Sequence, residues 1–145
     1  MSTPPSPEAS LFKDAEYFNR LGADLFPGRV GIETLSIDDT KVTCKLTIRP
    51  DHLTVNGMLH GAITVVLADT ACGYGTIALL PEGAKGHATI DLSCNLLRTA
   101  TEGSIHCDAV PMHLGRSTHV WDARIIHEET GRTLALFRCT QMILW

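Results

Sequence analysis

Residues 56–73 read NGMLHGAITVVLADTACG: a polar loop, a His-Gly pair, then an apolar run interrupted by one carboxylate, Asp69. From residue 63 to residue 80 almost every side chain is apolar or small, which predicts a helix buried nearly all round. A carboxylate inside such a helix is rare unless it is paired or put to use. Desolvation raises its pKa and alters its reactivity, so Asp69 is the first candidate for chemistry.

The start of the same helix offers the other half of a site. His60 and Gly61 stand where loop turns into helix, and Gly61 has no Cβ to block an approaching ligand. The first N–H groups of a helix lack internal partners and lie at the positive end of its dipole. They form a ready oxyanion hole once a carbonyl oxygen reaches them. A purely structural reading stays open beside this one. In it Gly61 is a tight turn, His60 a cap, and Asp69 a hydrogen-bonded core group.

Spacing constrains the chemical reading. Eight residues separate Gly61 from Asp69, which at about 1.5 Å per residue is roughly 12 Å of helix axis. A carboxylate attacking an acyl carbon must come within about 3.5 Å of it while the oxygen sits on the N–H. One chain cannot bring both groups to a single small target. Either the two residues are unrelated, or Gly61 of one subunit faces Asp69 of another in an obligate dimer with two equivalent sites.

The whole chain bounds what such a site can serve. With 145 residues, 44% of them hydrophobic, it is expected to form one domain with a full core. A net charge of −4 and no basic run argue against nucleic acid as a partner. Asp69 interrupts the longest apolar stretch, so no membrane span is expected. The opening MSTPPSPEAS has neither a positive n-region nor an apolar h-region. Residues 1–9 are therefore expected as a disordered tail, and residues 10–145 as the domain. The five cysteines (Cys44, Cys72, Cys94, Cys107 and Cys139) are scattered with no CxxC. They read as small reduced core residues of a cytoplasmic protein, with no disulfide framework or zinc site. Cys72 is structural on this reading, because nothing near it in sequence would lower its pKa. His52, His87, His106, His113, His119 and His127 lack metal-ligand spacing, so no metal is expected. Among them His106 and His119 are expected on the solvent face of strands.

Periodicity predicts the order of elements. A helix is expected over residues 7–25, ended by Pro27-Gly28, then strands over 29–37 and 41–49 around an Asp38-Asp39 turn. The second strand alternates cleanly, with Val42, Cys44, Leu46 and Ile48 on one face. After the loop and the apolar helix, Pro81-Glu82-Gly83 breaks the chain. Strands follow over 87–97, 104–113, 117–127 and 132–144, the last two joined by a tight turn at Glu129-Thr130-Gly131. One apolar helix among antiparallel strands must be wrapped by their sheet, an α+β arrangement.

This order, with HGA at the helix start and an Asp eight residues after the Gly, resembles the hotdog fold. More narrowly it resembles the PaaI-like (phenylacetic-acid-degradation-type) acyl-CoA thioesterases. The likeness rests on Gly57, His60, Gly61, Ala62, Leu67 and Asp69, and on TIDLSCNLLRTA, where Thr89, Asp91, Leu92, Asn95, Leu97 and Arg98 fall on typical positions. Gly115-Arg116-Ser117-Thr118 is similar to a turn that often contacts coenzyme A. The likeness runs from about residue 25 to the C-terminus. Two positions depart from the pattern: Ala62 replaces the second glycine of HGG, and the family Asn six before the His is Thr54 here, with Asn56 four before it.

The resemblance implies an antiparallel sheet around one long central helix, with an additional N-terminal helix. It implies an aromatic or medium-chain acyl-CoA as substrate and no further cofactor, since coenzyme A is part of that substrate. It also implies a homodimer with shared sites, assembled as a dimer of dimers. In that scheme the Gly61 N–H holds the thioester oxygen, and Asp69 of the neighbouring subunit attacks the carbonyl or activates water. Thr89 positions that water or the carboxylate, His60 orients the loop or helps bind the thioester, and Thr54 or Asn56 fills the place of the family Asn. Leu97, Arg98, Thr99, Gly115, Arg116 and Ser117 are expected around the substrate and its coenzyme A. Two other functions compete: a hotdog hydratase-dehydratase using His60 with Asp69, and a non-catalytic acyl-CoA-binding module. A Ser-His-Asp hydrolase is excluded by the lack of GxSxG.

Overall fold

The alternation at residues 41–49 becomes a strand with Val42, Cys44 and Leu46 fully buried, and it sets the inner face of a six-stranded sheet. The computed structural model describes residues 12–145. The expected tail and the first residues of the expected N-terminal helix lie outside the described residues. In chain order the elements are α1 (Ala15–Gly22), α2 (Phe26–Val30), β1 (Ile32–Ile37), β2 (Val42–Thr47), α3 (Gly61–Ala78), β3 (Gly86–Leu96), β4 (Ser104–Leu114), β5 (Thr118–His127) and β6 (Thr133–Leu144). All strand pairs are antiparallel, in the order β1-β2-β4-β5-β6-β3. This is the hotdog fold, with α3 as the helix lying across the sheet.

Small side chains set the distance between helix and sheet. Cys44 pairs with Cys107 and Ala109 with Ala123 across neighbouring strands, all on the inner face. Leu67, Ala68, Ala71 and Cys72 of α3 pack onto that face with no exposure. Gly75 has Trp121 where its Cβ would stand, so the missing side chain lets the indole press against the helix. The Trp121 Nε1–H donates to Thr76 Oγ1 at 2.9 Å, which satisfies the one polar atom that the ring buries. The cysteines are free thiols, four of them buried and Cys94 half-buried. Burial pushes the Cys44 thiol up to about 11 and the Cys72 and Cys107 thiols well above their ordinary value. Thiols raised in this way, at Cys44, Cys72 and Cys107, are unreactive.

The structure corrects four expectations. The N-terminal helix spans only residues 15–22, and Pro27 and Gly28 sit inside α2 instead of ending a helix. A proline is tolerated in a first turn because its missing N–H would find no partner there anyway. The strand expected from residue 29 begins at Ile32, after Gly31 closes α2 in the left-handed conformation (φ 99°). His119 is buried at 1% exposure, since it lies in phase with Trp121, Ala123 and Ile125 on the inner face of β5. Lastly, α3 is buried on one side only. Thr64, Leu67, Ala71 and Gly75 are buried, while Ala62, Val65, Val66, Asp69 and Thr70 form a partly open stripe.

The two edges of the sheet differ. At β1, Asn19 of α1 imitates a neighbouring strand: its Nδ2 donates to the Thr34 carbonyl and its Oδ1 accepts the Thr34 N–H. That contact blunts the edge. The other edge, the 11-residue β3, carries exposed Ile90, Leu92 and Leu96, and among the described residues no strand lies outside it. It runs beside the open stripe of α3.

Candidate active site

Asp69 lies on that stripe, half-buried instead of enclosed as expected, and its Oδ1 accepts the Thr89 hydroxyl at 3.0 Å. Thr89 reaches it from β3, just before a bulge at residues 89–91 that re-phases the strand. The two residues named separately from sequence are thus in direct contact within one chain. Thr89 Oγ1 also lies 3.0 Å from the amide of Gln141, its cross-strand partner on β6. Gln141 is fully buried, with the other end of its amide 3.3 Å from Cys139 Sγ. Sequence reasoning passed over Gln141. The signal was a polar residue at an inward position of β6, between Cys139 and Ile143.

One turn further along α3, Gly73 makes room for His87, whose Nε2 lies 3.2 Å from where a Cβ would be. Burial pushes the His87 imidazole below its ordinary value, and the Asp69 carboxylate acts in the opposite, smaller sense. His119 is also pushed down, first by burial and then by the nearby His113 and His87. The unfolded chain therefore takes up protons at about pH 6.5 that the folded chain refuses. The stability these histidines contribute is complete above that pH and is lost as pH falls through their lower folded values. Thermal midpoints should drop between pH 7 and 5, and His119→Phe should flatten that drop. An unchanged slope in the variant would assign the effect elsewhere.

The start of α3 is fixed through backbone contacts. His52 is buried, accepting the Arg49 N–H on Nδ1 and meeting the Val30 carbonyl with Nε2 at 2.8 Å, while its own carbonyl accepts the His60 N–H. His60 caps the helix, its Nδ1 accepting the Ala62 N–H at 3.0 Å. That bond leaves Nε2 as the free ring nitrogen. The Gly61 N–H meets no acceptor among the described residues. The glycine has a packing reason beyond ligand access, because a Cβ would stand 2.5 Å from Leu96 Cδ1. Since α3 runs unbroken through Gly61 and Asp69, the roughly 12 Å between them stands. One chain does not bring them together.

The remaining candidates sit at opposite ends of the sheet. Thr54 and Asn56 belong to a projecting loop turned by Gly57 (φ 80°), where Thr54 Oγ1 accepts the Asn56 N–H and Val55 is fully exposed. Leu97, Arg98 and Thr99 follow β3 at the Gly61 end, and Arg98 Nη1 donates to the Thr133 carbonyl. Arg98 and Thr99 line a cavity of about 510 Å³ together with Arg132 and His127. Gly115, Arg116 and Ser117 form the β4–β5 turn near the C-terminal end of α3. There Arg116 stacks on Trp145 at 4.2 Å and lines a cavity of about 460 Å³ with Glu82 and His119. A further cavity of about 610 Å³ opens on the outer face of the sheet, away from Asp69, and holds none of the candidates. Among the described residues no group of three or more His, Cys, Asp or Glu is arranged to hold a metal.

Residues 56–134, more than half of the chain and including the α3 site and β3, match the thioesterase superfamily. The chain belongs to that superfamily. The 1,4-dihydroxy-2-naphthoyl-CoA hydrolase of Escherichia coli is 30% identical over 131 residues, covering 89% of this chain and 93% of its own length. The enzyme of the same name from Listeria monocytogenes is 31% identical over 111 residues, covering 77% and 89%. A crystal structure of a mutant of the Pseudomonas aeruginosa thioesterase PA1618 superposes with a TM-score of 0.86 at 26% identity, over 93% of this chain and 99% of that one. PaaI of Escherichia coli shares the fold with a TM-score of 0.75 at 24% identity, over 90% of this chain and 89% of that one. By class this hotdog protein is a thioester hydrolase.

Proposed function

We propose that this protein hydrolyses an aromatic or medium-chain acyl-CoA to the free acid and coenzyme A, at two equivalent sites shared across a homodimer. The observation that carries this reading is the position of Asp69, on the open side of α3 beside the uncovered β3 edge, with Thr89 bonded to it and the free Gly61 N–H eight residues away. Pairing β3 with the same strand of a second copy would extend the sheet and bring two α3 stripes together. Antiparallel helices would then set the Gly61 end of one chain against Asp69 of the other. The same arrangement would set the Arg98 end of one chain beside the Arg116 turn of its partner.

In this scheme the Gly61 N–H holds the thioester oxygen and stabilises the charge that develops on it. Asp69 attacks the carbonyl carbon or takes a proton from water, and Thr89 holds the carboxylate. His60 keeps its Nδ1 on the cap and offers Nε2–H to the thioester, and Asn56 or Thr54 lines the entrance from its loop. Leu97 and Thr99 flank the substrate, while Arg98, Arg116, Gly115 and Ser117 receive the coenzyme A phosphates. Guanidinium groups suit such a partner. The free thiols support a cytoplasmic setting. Two such dimers would associate into a dimer of dimers.

Two measurements test the reading. A screen over benzoyl-, phenylacetyl- and octanoyl-CoA, read as free thiol, should give turnover with at least one of them, and no turnover with any removes the proposed substrate class. Sedimentation at assay concentration should show a dimer or larger. An active monomer would exclude the shared site.

A further inference from the structure

Thr89 stands between two groups that cannot both accept from it. Its Oγ1 is 3.0 Å from Asp69 Oδ1 and 3.0 Å from the Gln141 position assigned as Oε1, yet a hydroxyl carries one proton. A carboxamide keeps its shape when its oxygen and nitrogen exchange places, so the surrounding hydrogen bonds decide which end is which. Gln141 is fully buried, so a mismatch at its amide would leave a buried polar group unpaired. If Asp69 works as an ionised carboxylate, it has no proton to give. The Thr89 proton then goes to Asp69, and the Thr89 oxygen needs a donor from the other side.

We propose that Gln141 is a positioning residue whose amide N–H faces Thr89 Oγ1, so that Thr89 donates its only proton to the Asp69 carboxylate. This rests on the role given to Asp69 above. With the amide turned this way its oxygen faces Cys139, whose S–H donates to it. The bonds then run one way, from Cys139 through Gln141 and Thr89 to Asp69. Bonds aligned in this sense reinforce one another. They hold Asp69 Oδ1 and leave Oδ2 for water or the acyl carbon.

The orientation is read in the wild-type protein by NMR, where the Gln141 side-chain NH₂ should show cross-peaks to Thr89. Cross-peaks to Cys139 in their place would overturn the proposal without any variant. Its consequence is read with Gln141→Met, which keeps the length and removes the amide. On the fastest of the three acyl-CoAs kcat should fall about tenfold or more with KM within about twofold. In a Thr89→Val background the same change should cost less than about twofold, because the link to Asp69 is already cut. Gln141→Leu, which also removes the amide, provides a second variant should the first fail to fold. Unchanged kcat in a folded variant, or an equal loss in the Thr89→Val background, would overturn the proposal. Asp69→Asn measured alongside separates the two ideas: an active Asp69→Asn removes the catalytic reading itself, whereas an inactive one with an unaffected Gln141→Met removes only the role of Gln141.

Discussion

Asp69→Asn is expected to lower kcat by on the order of 10²-fold or more while KM stays within about twofold. Asparagine keeps the shape of the side chain and can still accept the Thr89 hydroxyl that now lies 3.0 Å from Asp69 Oδ1. It cannot attack an acyl carbon or take a proton from water. Binding energy comes from the acyl group and the coenzyme A, which the change leaves alone, so the loss should fall on the chemical step. Because Asp69 is only half-buried, the fold should tolerate the amide, and the thermal midpoint should stay close to that of the wild type. Steady-state kinetics on the best acyl-CoA together with a melting curve decide the matter. Full activity in a folded Asp69→Asn protein would move the function to acyl-CoA binding without hydrolysis.

A mixture of two inactive variants is expected to regain activity. Asp69→Ala removes the carboxylate, and Gly61→Pro removes the N–H donor. Proline is tolerated in the first turn of a helix, and His60 already has the extended backbone that a following proline requires (φ −67°, ψ 129°). Its ring would meet Leu96 Cδ1, but Leu96 is 56% exposed and can swing outward. Circular dichroism checks that the variant folds. Each homodimer should be inactive for its own reason. In a heterodimer one site combines the intact Gly61 of the first chain with the intact Asp69 of the second, so activity should return to about half the wild-type level per heterodimer. Subunit exchange shown by a tagged chain, with no activity in the mixture, would mean that the two residues do not meet across an interface.

The legible parts of this fold were those with a strong local period. The four strands after α3 fall within one or two residues of where alternation puts them, and β6 keeps its inward face from Ala135 to Ile143. The N-terminal segment was read less well. A helical spacing of apolar residues runs through residues 11–21, yet the described helix starts only at Ala15, where Asp14 accepts the Tyr17 N–H as a cap. Proline and glycine at residues 27–28 read as terminators in the sequence, although Pro27 opens α2 and Gly28 lies against the backbone of α1. His119 was misread because a histidine in an alternating strand counts as polar, and its partners on the neighbouring strands could not be seen. The same blindness hid Gln141.

By itself the sequence determined the succession of elements, the apolar helix with its single carboxylate, and the distance of about eight residues that keeps Gly61 and Asp69 apart. These are local properties, set by side-chain period and by the rise of a helix. The tertiary structure alone decided which faces are covered. It left one side of α3 open, blunted the β1 edge with Asn19, and left the β3 edge bare. It also brought Thr89 to Asp69 across 20 residues, and Gln141 to Thr89 across 52. Such contacts depend on strand order and on a bulge that shifts one strand by a residue, and neither is encoded by the period of any single segment.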